Sequence, residues 1–272
     1  MIRLFLEKAE RVHTMKNIMR AQIYQLRRSK AFWASFLIPI ILLVTNITGE
    51  LDYSGATLGK FIAENAFLVY CLAMLSAIMM TCLITGGDFT DKTANYEIMS
   101  GHSRGQFFAG RAVLSILLGL IGYTVSLFLP MLLGAGIAGF GTELQLKELG
   151  IRYLLSLLVV ARILCEFICL TYILQNPLVP MGIGVVLCMS SQILIGFLQV
   201  PDSLFLGITS LNRLSGFFSW MTYSMADGHS LIYSYGLKMQ AEDVLGIMIS
   251  SIGIGGLALL LGYSFYKRDD LR

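Results

Sequence analysis

The chain is predicted to be an all-α polytopic membrane protein: six transmembrane helices, an N-terminal amphipathic helix lying in the membrane interface, and a short cytoplasmic helix between the second and third spans. Three observations predict this. Of the 272 residues, 56% are hydrophobic and 14% charged, more apolar surface than a water-soluble core of this size can hide. Six mainly apolar runs approach or exceed the roughly 20 residues that a helix needs to cross a hydrocarbon core about 30 Å thick. Within each run the backbone must satisfy its own hydrogen bonds, which favours helices over strands.

Ahead of the first span, Phe5, Ala9, Val12, Met15, Met19, Ile23 and Leu26 recur at helical spacing, while Arg3, Lys8, Arg11, Lys16, Arg20, Arg27 and Arg28 decorate the remainder. Residues 1–31 therefore read as a basic amphipathic elbow helix, either an anchor against anionic lipid or a lever that also touches a cytoplasmic partner. The transmembrane domain follows over 32–272, with spans expected at 32–48, 66–86, 112–140, 151–174, 181–199 and 244–266. Pro39 interrupts the first, which runs into Thr45 and Asn46. Small residues crowd spans three and six (Gly119, Gly122, Gly134, Gly136, Gly246, Ser250, Gly253, Gly255 and Gly256), as close helix packing requires.

Between spans two and three lies a polar island over 88–111 that still carries apolar and aromatic residues, Tyr96, Ile98 and Met99 among them. A solvated linker rarely has such a stripe. Gly101 can end a short helix begun near Thr93, and Ser103 with Gln106 has the spacing of a capping box that starts the next helix at once. The segment reads as a compact helical elbow. The long segment 200–243, with Phe205, Phe217, Phe218, Trp220, Tyr223, Tyr233 and Tyr235 among Ser, Asn and Gly, is expected to hold short interfacial or re-entrant helices.

Cations fix the expected orientation. With both termini inside, the cytoplasmic segments hold eight Lys and Arg up to Lys30, then Lys92, Arg104, Arg111, Lys267, Arg268 and Arg272, against Lys60, Lys147, Arg152, Arg213 and Lys238 outside. The net charge of +3 thus reports topology rather than nucleic-acid binding. No short apolar region near residue ten marks a cleavable leader, so the chain is expected to enter the membrane uncleaved.

Chemistry is sparse. Cys71, Cys82, Cys165, Cys169 and Cys188 all fall within expected spans, which disfavours disulfides and metal clusters. His13, His102 and His229 are scattered along the chain. Phosphate-cradling Gly-x-x-x-x-Gly-Lys, His-Glu-x-x-His and Gly-x-Ser-x-Gly patterns are absent, so the chain is expected to be no enzyme and to need no cofactor of its own. Arg162 and Glu166, four residues apart in the fourth span, share a helical face and can pair. Such a pair either locks helix packing or lines a translocation path.

Three segments, 15–33, 93–104 and 265–271, together resemble the permease subunit of ABC-2-type ABC transporters, particularly the six-span permeases of bacterial antibiotic, bacitracin and lantibiotic export or immunity systems. The first looks like that family's elbow helix, the second like its first cytoplasmic loop, and the third, Phe265-Tyr266-Lys267-Arg268-Asp269-Asp270-Leu271, like its basic-acidic ending. Family members often begin near what is here Met15. The resemblance implies that the elbow is a coupling helix seated in a groove of a separate ATP-hydrolysing subunit, with Asp91, Tyr96, Glu97, Ile98, Met99 and Arg104 as its contact residues. It also implies two ATPase copies holding ATP and Mg, a second or related permease, and a bacterial cytoplasmic membrane. The function expected on this basis is ATP-driven export of an amphipathic peptide, lantibiotic or other antibiotic. Two alternatives stand beside it: an ion-coupled secondary transporter using Arg162 and Glu166, and a nontransporting membrane anchor or sensor.

Overall fold

The computed structural model describes residues 18–54, 58–91, 103–139, 146–187, 221–226, 230–235 and 241–268. Among them are seven helices: α1 over 18–28, α2 Lys30–Ser54, α3 Leu58–Asp91, α4 Arg104–Ala138, α5 Leu146–Leu174, α6 Leu178–Leu187 and α7 Ala241–Arg268. Five of these, α2 to α5 and α7, are long and apolar enough to cross a membrane, which makes this a helical membrane protein. The expected fifth span, 181–199, is represented by α6, too short alone to cross; the rest of it lies outside the described residues.

Polar residues inside the spans are reconciled with an apolar surrounding by bonding to their own helix. In α2, Asn46 Nδ2 donates to the Leu42 carbonyl at 2.7 Å and Thr48 Oγ1 to that of Val44 at 2.9 Å. With these groups satisfied, α2 continues unbroken past Thr45 and Asn46 to Ser54. Pro39 sits buried within α2 and does not end it.

α3 and α4 form the central pair, with α2 packed on both, α5 against the same two helices, and α7 along α5. The largest core cluster draws Leu43 and Ile47 from α2, Ala73, Ala77 and Ile78 from α3, Tyr123 from α4, and Val160 and Leu164 from α5. Close approach is possible because α4 offers glycine there: a Cβ on Gly119 would lie 2.6 Å from Leu164 Cδ1 and from Thr81 Oγ1. Thr81 Oγ1 in turn donates to the Ser115 carbonyl at 3.3 Å, tying α3 to α4 by a polar bond at the crossing. Along α7, Gly255 faces Arg162 and Gly262 faces Cys169, so α5 and α7 run in the same direction. By contrast Gly136, Gly253 and Gly256 meet nothing within 4 Å and take no part in packing.

The structure departs from the expected organisation in three places. The polar island 88–111 is narrowed at its first end, where α3 carries on to Asp91, because helix hydrogen bonding persists where spans leave the apolar layer; at its other end α4 begins at Arg104, where the Ser103–Gln106 capping box was expected to start it. At 34 and 35 residues, α3 and α4 are about 50 Å long at 1.5 Å per residue and overreach a hydrocarbon core of roughly 30 Å. The second difference is at residues 221–235, where an antiparallel hairpin stands in place of helices, β1 Met221–Ala226 pairing with β2 Ser230–Tyr235 from Met221↔Tyr235 to Ala226↔Ser230. In β1 the polar Thr222 and Ser224 alternate with Met221, Tyr223 and Met225, the period of two of a strand, and Asp227-Gly228 in the sequence between the strands is a turn-favouring dipeptide. Residues 200–220, 227–229 and 236–240 lie outside the described residues.

Third, the N-terminal helix breaks at Ser29, whose Oγ accepts from Phe32 N–H at 3.3 Å and caps α2. Its buried stripe is Ile18 and Gln22, at 4% and 3% exposure, rather than Met19 and Ile23. Residues 1–17 lie outside the description.

Gly119→Ala is expected to lower stability by about 1–3 kcal/mol through overpacking. Gly253→Ala should be neutral or slightly stabilising, having open space and a helical backbone. Thermal unfolding in mild detergent compares the two, and equal effects would contradict the packing described.

Candidate functional site

The elbow expected between spans two and three is bracketed by the end of α3 and the start of α4. Asp91 occupies the last position of α3. Tyr96, Glu97, Ile98 and Met99 lie outside the described residues. The return into the bundle is well defined: Gln106 N–H donates to Ser103 Oγ and Ser103 N–H donates to Gln106 Oε1, both at 3.3 Å. Two backbone donors that a helix start leaves orphaned are thereby satisfied, at the spacing the sequence offers.

Arg104, the first residue of α4, points across the bundle end. Its Nη1 donates to the Lys267 carbonyl at 3.2 Å. A cation there satisfies an orphan carbonyl and suits the negative end of the α7 dipole. The residue expected to dock a partner thus also fastens the elbow's exit to the C-terminal helix of its own chain.

Two turns deeper in α4, Arg111 is 2% exposed, a buried helical residue rather than part of a cytoplasmic loop. Its guanidinium carbon lies 4.3 Å from the Phe107 ring centroid, and it is within electrostatic reach of Tyr172 and Tyr266. Rings from four helices close around this point. Phe108 contacts Tyr172 of α5 at 4.8 Å and Tyr263 of α7 at 5.5 Å between centroids. Tyr172 meets Tyr266 at 5.2 Å and Phe89 of α3 at 5.7 Å. A desolvated cation over an aromatic face is stabilised by about 2 kcal/mol, and each ring pair adds roughly 0.5–1.5 kcal/mol beyond its burial. The ends of α3, α4, α5 and α7 are consequently joined at the level where the elbow leaves the bundle.

Sequence reasoning counted Arg111 as a topogenic charge and passed over these rings. The available signal was positional: Phe107, Phe108, Tyr172, Tyr263 and Tyr266 all lie near the end of a span that the charge distribution places on one side. Spacing within single helices does not reveal that the rings meet.

Arg162 and Glu166 lie on one face of α5, with Arg162 Nε 3.4 Å from Glu166 Oε1. The pair is asymmetric, the arginine side chain 5% and the glutamate 43% exposed. Arg162 backs onto α7 at Gly255, whereas the carboxylate turns toward the bundle surface. An ionised carboxylate at the surface of a span is costly in lipid unless protein or water covers it.

Farther from the elbow, α4 and α5 are joined by hydroxyls. Tyr123 OH donates to Ser156 Oγ at 3.1 Å, Ser156 Oγ donates to the Tyr153 carbonyl at 2.7 Å, and the Thr124 and Tyr153 hydroxyls are 2.7 Å apart. These bonds join α4 to α5 without charge.

Cys71, Cys82, Cys165 and Cys169 are buried, and among the described residues no group of three His, Cys, Asp or Glu is placed to hold a metal. Cys188, His13, His102 and His229 lie outside the described residues. Comparison of the chain with protein-family models and with curated proteins gives no match.

Phe108→Ala is expected to cost about 3–5 kcal/mol, as a buried ring touching two other helices is removed; chemical or thermal unfolding measures it. For the ion pair, Glu166→Ala should destabilise more than the Arg162→Met/Glu166→Ala double change, by about 3 kcal/mol, because the single change takes the carboxylate from a buried cation. A double-mutant cycle showing no coupling would remove the pair from consideration.

Proposed function

We propose that this chain is the permease subunit of an ATP-driven, ABC-2-type exporter in a bacterial cytoplasmic membrane, with both termini inside. ATP is hydrolysed by a separate subunit, present in two copies, that grips the elbow between α3 and α4. The permease pairs with a second copy or a related chain, and the cargo is an amphipathic peptide, a lantibiotic or another antibiotic. The observation that carries the reading is the convergence of α3, α4, α5 and α7 on the Arg111 aromatic cluster beside the elbow. A pull or rotation applied at residues 92–102 acts directly on α3 and α4 and reaches two further spans, α5 and α7, through Phe89, Phe108, Tyr172 and Tyr266. The Arg104 bond to Lys267 adds a polar tie to α7.

In this mechanism the elbow is the input, with Tyr96, Ile98 and Met99 as an apolar knob and Glu97 as the orienting charge. Closure of the two ATPase subunits displaces the elbow, the aromatic cluster carries the displacement into the bundle, and the spans shift relative to one another. The chain itself carries no nucleotide chemistry.

A second reading draws on the exposed carboxylate of the Arg162–Glu166 pair, which suits proton or ion coupling in a secondary transporter. The two differ in what drives transport.

Glu97→Lys is expected to abolish co-purification of an ATPase subunit, and to reduce transport at least about tenfold, while leaving membrane insertion intact, since it reverses a charge at the proposed contact. Affinity purification followed by mass spectrometry reads the first effect. Gradient-driven transport without any ATPase, lost in Glu166→Gln, would establish the second reading instead.

A further inference from the structure

We infer that the junction of α1 and α2 is a binding site for the headgroups of anionic phospholipids. This goes beyond the proposed transport role and does not depend on it. The buried stripe of α1, Ile18 and Gln22, turns the opposite side of the helix outward. That outward side carries Arg20, Tyr24, Arg27 and Arg28, at positions i, i+4, i+7 and i+8, all exposed. Lys30 follows directly after the Ser29 break.

The aromatic residues among these cations are held in place. The Arg28 guanidinium lies 4.5 Å above the Tyr24 ring. Trp33 Nε1 donates to the Arg27 carbonyl at 3.1 Å, so the indole bridges the break between helices. Phe32 and Phe36 contact it edge-on, with centroids 5.9 and 6.5 Å away. Such amphipathic rings, with an apolar body and a polar edge, suit the headgroup region of a bilayer.

Charge complementarity selects an anion. No Asp or Glu occurs from residue 11 to residue 49, and among the described residues none of Arg20, Arg27, Arg28 and Lys30 is paired with a carboxylate. Continuity with the span selects a membrane anion. Immediately beyond Trp33, α2 exposes Leu37, Ile38, Ile41 and Leu42, an apolar surface for acyl chains. Leu37 is seven residues from Lys30, or about 10 Å along the helix. Cations at that height above an acyl-contacting face stand at the depth of lipid phosphates, where Arg and Lys gain electrostatically from anionic lipid. An acidic protein would satisfy the charges but not the exposed tyrosine and tryptophan running into the apolar face.

The test uses the full chain with Trp220→Phe, which leaves Trp33 as the sole indole. The protein is reconstituted into vesicles mixing dibrominated phosphatidylglycerol or dibrominated phosphatidylcholine with the unbrominated other lipid, and quenching of Trp33 reports which lipid sits beside it. Enrichment of phosphatidylglycerol by about fivefold, the equivalent of one cation at a charged surface, is expected at low salt. The enrichment should fall toward unity in Arg27→Gln/Arg28→Gln/Lys30→Gln and at high salt, where screening is strong. Equal quenching by the two lipids in the parent protein overturns the proposal and leaves the face to an acidic protein partner. Selectivity unchanged in the triple variant overturns it too. Should that variant not insert, the parent comparison and its salt dependence decide alone.

Discussion

Helices in a lipid environment gain little by hiding apolar side chains from one another, so their association rests on close van der Waals contact and on polar bonds between them. In this protein that constraint falls on the crossing of α3, α4 and α5. Gly119 lets the α4 backbone approach so near that a single methyl would meet both Leu164 and Thr81, and Gly122 would likewise meet Met80. The Thr81 bond to Ser115 lies at the same crossing. Among the described helices, α2 leans on α3 and α4, and α7 runs along α5 and meets α4 at the Arg104 end.

From that centre the bundle differs at its two ends. One end is joined by hydroxyl bonds among Tyr123, Ser156, Thr124 and Tyr153, directional and uncharged. The other is joined by rings around a buried guanidinium. The hydroxyl end carries ring contacts as well, Tyr123 stacked on Tyr153 with centroids 6.5 Å apart and Phe128 edge-on to Tyr153 at 4.8 Å. The buried cation is what distinguishes the Arg111 cluster from it.

Charge is placed with economy. Arg104 serves a helix terminus, Arg111 an aromatic enclosure, and Arg162 an ion pair whose carboxylate faces outward. The cations of α1 and Lys30, in contrast, face away from the bundle. Among the described residues, Arg104, Arg111 and Arg162 bond within the fold, whereas Arg20, Arg27, Arg28 and Lys30, like Lys267 and Arg268 at the other terminus, are exposed.

Much of the architecture was legible because apolar length and capping are local properties. The runs behind α2, α3, α4, α5 and α7, the Ser103–Gln106 cap and the i,i+4 relation of Arg162 and Glu166 each depend on neighbours within a few residues. The hairpin at 221–235 was also legible, through its period of two and Asp227-Gly228, but the aromatic content of that segment drew the reading toward helices. Other features were settled only in three dimensions. Which glycines pack is one: Gly119 and Gly255 meet neighbouring helices while Gly253 and Gly256 face open space, although all four look alike in sequence. The burial of Arg111 is another, since its environment comes from Tyr172 and Tyr266, residues far along the chain on other helices. The sequence by itself determined that these segments are helices suited to a membrane, because backbone hydrogen bonding and apolar length leave little choice. Only the tertiary structure decided which faces meet, because helix pairing depends on shape matched between distant residues.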